Sequence, residues 1–153
     1  MYEPIRTKSV HTMAAAPEFP HRSREEELDI RLAGQLTALL TVTDELHALA
    51  RRPDARPAGA PGTGPALDAA ALADAAERIA EQVARLSGGH YPLRAEPSDA
   101  GSPSRAAALQ QRARTLAGNA LAVATSRGDT TVIALAAERM EAHSEPVRDL
   151  ART

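Results

Sequence analysis

The sequence predicts an all-α protein: an antiparallel four-helix bundle with a flexible N-terminal leader. Three observations predict it. Four stretches space their apolar residues alternately four and three apart, as one face of a helix requires. Ala, the best helix former, makes up about a fifth of the chain, well above ordinary usage. No useful length alternates with period two, so no strand is expected.

The first helix is expected over 23–52. Ser23 and Glu26 form a capping-box pattern, and Glu25, Glu26, Glu27 and Asp29 crowd the positive end of the helix dipole. Leu32, Leu36, Leu39, Thr43, Leu46 and Ala50 carry the stripe, widened by Leu28, Leu40, Val42 and Leu49. Arg51-Arg52 suit its end and Pro53 stops it. Residues 53–64 are a linker by composition. A second helix is expected over 65–87, with Pro65 in its first turn and Gly88-Gly89 after it. Leu72, Ala76, Ile79, Val83 and Leu86 form its stripe.

Residues 88–102 read as a second linker. The third helix is expected over 103–127, opened by Ser102-Pro103, with Leu109, Ala113, Leu116, Ala120 and Val123 inward. Gly128 ends it and Asp129 caps a fourth, expected over 129–151. Ile133, Ala136, Met140, His143, Val147 and Leu150 continue that stripe, and Pro146 should kink or restart it near Ser144. The domain is thus 23–152 behind a leader of 1–22. Up-down-up-down is the leading topology, although both linkers are long enough for a crossover.

Composition narrows function. A chain of 153 residues with net charge −2 is one ordinary domain, and no global field draws it to nucleic acid or anionic lipid. Without cysteine it has no disulfide, thiolate nucleophile or thiolate metal site. No apolar run approaches the roughly 20 residues of a membrane span. The leader is too polar for a signal peptide, so the expected compartment is the cytoplasm and no membrane is expected as partner.

Charge is unevenly placed. Stretch 25–50 holds six acids and one Arg, whereas 105–128 holds Arg105, Arg112, Arg114 and Arg127 and no acid. The simpler reading is two complementary helices in one bundle, and the sharper one is a basic face for a partner.

Catalytic chemistry finds little support. A di-metal bundle needs inward carboxylates and a Glu-x-x-His on each of two helices. Here Asp44-x-x-His47 and Met140-x-x-His143 are the nearest approaches, and the third helix supplies no carboxylate. No metal is expected, and His143 reads as a hydrogen-bonded boundary histidine. No Gly-x-Ser-x-Gly turn occurs, and Gly59, Gly62 and Gly64 lie in a Pro-rich linker rather than a phosphate loop. The expectation is a protein that is not an enzyme, with no catalytic residue and no cofactor.

DNA binding is the competing class. ALAVATSRGDTTVIALAAERM has the outline helix, glycine turn, helix. Yet Arg127 and Asp129 flank Gly128, and Val132, Ile133 and Leu135 crowd the would-be reading helix. Few aromatics are available for base stacking. Nucleic acid is therefore the lesser expectation. Binding of another protein, or self-association of a lean Ala-rich bundle, is the greater one.

The leader concentrates distinctive side chains: Tyr2, Ile5, Val10 and Phe19 among prolines, with Arg6 and Lys8. Three readings fit: a disordered tail, a start at Met13, or a functional arm that lies on the bundle or on a partner. Phe19 is expected to pack near Leu28, and most of 1–16 to be disordered. The partner surface expected from sequence is Tyr2, Ile5, Phe19 and Leu28, with Arg105, Arg112 and Arg114 as a second, charged face.

The leader MYEPIRTKSVH, the segment FPHRSREEELDIRL and the closing SRGDTTVIALAAERMEAHSEPVRDL resemble a set of small, uncharacterised actinobacterial proteins, chiefly of Streptomyces type. Some of these are loosely associated with natural-product biosynthesis. The resemblance covers the two ends of the chain and not 53–102. It implies a Streptomyces-like source, a translated leader and an accessory or regulatory role, and it carries no catalytic motif.

Overall fold

The computed structural model describes residues 22–52, 68–97 and 103–144. Tyr2, Ile5 and Phe19, the linker 53–64 and the expected helix beyond Ser144 lie outside the described residues. Four helices are present: α1 (Arg24–Arg51), α2 (Ala69–Leu86), α3 (Pro103–Arg127) and α4 (Thr130–Ala142). Among the described residues there is no strand, and no helix is long and apolar enough to cross a membrane.

The caps account for the helix ends. Ser23 Oγ accepts from the Glu26 amide and Glu26 reaches back to the Ser23 amide, completing the capping box. The second helix begins at Ala69, later than expected. Asp68 is its N-cap and accepts from the amides of Ala70 and Ala71, a stronger start signal than Pro65. Between α3 and α4 the chain reverses at Gly128, whose φ of +75° favours glycine. The Gly128 amide donates to Thr125 O and the Asp129 amide to Ala124 O, a Schellman ending. The Asp129 carboxylate then caps the Val132 amide. The fourth helix is described to Ala142, where the expected interruption near Ser144 begins, and residues 145–151 lie outside the described residues; its cap, His143, returns its amide to Arg139 O.

The core is asymmetric. Helix α1 contributes Leu32, Leu36, Leu39, Leu40 and Leu46, and α3 contributes Ala113, Ala117, Ala120 and Ala124. Leu72 and Ile79 of α2 and Val132 of α4 complete it. Bulk from one helix meets small residues from another, which lets the α3 backbone approach closely. Thr43, in the α1 stripe, is buried because its hydroxyl donates to Leu39 O at 2.8 Å.

The topology differs from up-down-up-down. Helix α1 packs on both α2 and α3, and α3 packs on α4. Asp29, early in α1, pairs with Arg127 at the end of α3, and Glu45, late in α1, pairs with Arg105 at the start of α3. Helices α1 and α3 are therefore antiparallel neighbours, where the expected topology makes them parallel. Arg78–Glu138 and Arg85–Asp129 set α2 antiparallel to α4. The order is up-down-down-up, and the connection after α2 climbs the length of the bundle before α3 begins. An extended chain covers roughly 3.3 Å per residue against 1.5 Å in a helix, so a linker of this length can return over all of α2. Two of the four α3 arginines, Arg105 and Arg127, are engaged within the molecule by ion pairs with α1.

Candidate functional site

The crossover is the feature that gives the surface a character. Residues 90–97 run up the outside of the bundle, and one side chain ties them down. Arg94 donates twice to the Asp44 carboxylate of α1, through Nε at 3.1 Å and Nη2 at 2.8 Å. Its Nη1 donates to Glu77 of α2 at 2.9 Å. A two-pronged guanidinium–carboxylate contact fixes orientation as well as position. The hydrogen bonds to Asp44 and then Glu77 raise the Arg94 pKa above its ordinary value.

Around this clamp the apolar side chains face water. Leu93 is 99 % exposed and Tyr91 63 % exposed. Ile30, at 52 %, is the third large apolar side chain exposed among the described residues. Ile30 lies two heptads before Asp44 and so on the same face of α1. All three therefore belong to one side of the bundle, where the crossover lies along α1 and α2. We refer to it as the crossover face. Of the carboxylates there, the half-buried Asp44 and the exposed Glu77 are paired with Arg94, and Glu96 is exposed beside them in sequence.

The expected surface residues fall in different places. Leu28 is buried beneath α1, so it supports the helix and offers no contact surface. Arg105 lies against Glu45 at 2.9 Å, so its charge is engaged within the bundle. Arg112 and Arg114 are exposed on α3. Sequence reasoning misses Tyr91, Leu93 and Arg94 because 88–102 reads only as a linker. The available signal was a Tyr and a Leu in HYPLR, outside any helix that would bury them.

A second polar feature is internal. His143 is 3 % exposed, and its Nδ1 meets Gln110 Oε1 across the α3–α4 seam at 2.5 Å. The amide oxygen can only accept, so Nδ1 carries the proton and Nε2 is a bare acceptor. That Nε2, like Arg139 Nε one turn earlier, is buried without a hydrogen-bond partner. Burial first, and then the Arg139 charge, lowers the His143 pKa to about 4. The arrangement matches a hydrogen-bonded histidine at the edge of the core. Asp44, which with His47 offered a metal-like spacing, is held by Arg94. Among the described residues no three His, Asp or Glu side chains converge on a point.

The hairpin of α3 and α4 buries the apolar residues of its second helix. Val132, Leu135 and Ala136 point into the core, and α4 exposes Glu138 and Glu141. Arg127 and Asp129, which flank the turn, bind Asp29 and Arg85. Compared with known proteins, the chain matches no family model, no curated protein and no solved structure.

Proposed function

We propose that this protein is a non-enzymatic helical interaction module that binds another protein through the crossover face, in an accessory or regulatory role. The observation that carries the reading is Leu93, wholly exposed beside an arginine held by two helices. Exposing a leucine and a tyrosine on an anchored segment gains nothing for the fold. A partner that covers them gains apolar burial without paying to order the segment first. The resemblance to Streptomyces-type proteins points to a bacterial cytoplasmic setting for that role.

The test compares the full chain with Leu93→Glu and with Arg112→Glu/Arg114→Glu as baits in a Streptomyces lysate, followed by direct titration of the captured protein. A partner held by the wild type and the arginine variant, and lost by Leu93→Glu, is the expected result. A second reading, a DNA-associated regulator using α3 and α4, is favoured by the exposed Arg112 and Arg114 and opposed by the acids of α4. Salt-sensitive duplex binding abolished by the arginine variant would select it.

A further inference from the structure

We propose that Met140 is an oxidant-sensitive joint: a peroxide converts its thioether to the sulfoxide and so unfastens the last turn of α4 from α3. The inference is independent of the crossover face and adds a modification site to the α3–α4 seam.

The argument starts from what the chain can oxidise. It has no cysteine, so its three methionines, Met1, Met13 and Met140, hold its only sulfur atoms. Met140 is the one that belongs to the described bundle. Its side chain packs against the core and is half-buried, so a small solute can reach a residue that still holds two helices together.

The thioether lies against bare backbone. A Cβ on Gly118 of α3 would stand 3.7 Å from Met140 Cε and 3.8 Å from Sδ. An oxygen added to that sulfur brings a strong acceptor to a stretch of α3 whose amides are already committed to helix hydrogen bonds. Left in the seam it is an unpaired polar group, which is costly. The side chain escapes that cost by turning out to water, and the apolar contact is lost.

Little else fastens this turn. Val132, Leu135 and Ala136 bury the first half of α4. Beyond Ala136, Met140 is the apolar side chain that meets the core among the described residues, and His143 bonded to Gln110 is the polar one. Helix α2 reaches this half through Arg78 and Glu138, an ion pair exposed enough to contribute little.

The step balances without a metal or cofactor. The sulfur lone pair attacks the outer oxygen of the peroxide, the O–O bond breaks as the S–O bond forms, and the departing oxygen leaves as water or an alcohol with the proton. The sulfur gives up two electrons and the peroxide takes them. A sulfoxide reductase reverses the change.

The test treats the full chain with hydrogen peroxide and follows peptide mass, thermal unfolding and amide exchange. The expected result is one added oxygen on the Met140 peptide, a melting midpoint lower by about 5 °C or more, and faster exchange at 139–144 with 32–46 of α1 unchanged. Sulfoxide reductase should restore both readouts. Met140→Leu conserves volume and keeps Met1 and Met13, so it should hold its midpoint under the same treatment. Met140→Gln, which carries a polar group of similar length, should show the faster exchange without oxidant. Three results would each overturn the proposal: an oxidised Met140 with midpoint and exchange unchanged, a Met140→Leu protein that loses as much as the wild type, or a Met140 that stays reduced at a peroxide dose that oxidises it in the urea-unfolded chain.

Discussion

At the scale of single residues, His143 shows how burial, helped by a neighbouring cation, sets a pH response. Its folded pKa lies near 4, below the ordinary 6.5. Between those values the unfolded chain binds more protons than the folded one, so stability rises with pH across that window. It is complete above about pH 7 and falls as the solution is acidified. The full effect is up to about 3 kcal/mol. Urea midpoints measured between pH 7.5 and 4.5 should fall for the wild type. The fall should be shallower in His143→Gln, with carboxylate titration supplying what remains. A parallel decline in both proteins would mean that the imidazole is solvated in solution.

At the scale of elements, the division of labour between α1 and α3 predicts opposite penalties. Leu36→Ala empties space that no neighbour can fill and should cost about 2–5 kcal/mol. Ala120→Leu adds volume where α3 lies closest to its neighbours and should cost about 1–3 kcal/mol through overpacking. Denaturant titration distinguishes this from a loosely packed bundle, in which Ala120→Leu would be neutral or stabilising. This scale was also the most legible in the sequence. Ser23, Asp129 and Gly128 announce their helix ends by chemistry that acts within one turn, and the leucine stripe of α1 follows from helical period alone. Asp68 starts α2 although Pro65 equally suits a first turn, because only Asp68 meets the amides of Ala70 and Ala71.

At the scale of the whole molecule, the sequence left the topology open. Helical period says which face is buried but not which helix it meets, and the linkers allow either connectivity. The ion pairs decide it. Exchanging charges tests the decision: Asp29→Arg alone should destabilise by placing two cations together, and adding Arg127→Asp should restore part of the loss. An up-down-up-down arrangement sets those residues at opposite ends and leaves the effects additive. The crossover face was illegible for the same reason. Arg94 has partners 50 and 17 residues away, and nothing local in HYPLR reveals them. Leu28 is buried where the sequence suggests a contact surface, because a wide stripe does not show which edge of it stays wet.

The Arg94 clamp also bears on the order in which the molecule assembles. Asp44, Glu77 and Arg94 all precede Pro103, so the three groups that direct the crossover exist before α3 has been synthesised. A ribosome releases α1 and α2 first, and that pair can already bind the following segment along its outside. That clamp holds the segment before α3 against α1, the helix on which α3 packs through Asp29 and Glu45. The contacts of greatest sequence separation, Asp29 with Arg127 above all, are then closed last over a shortened loop.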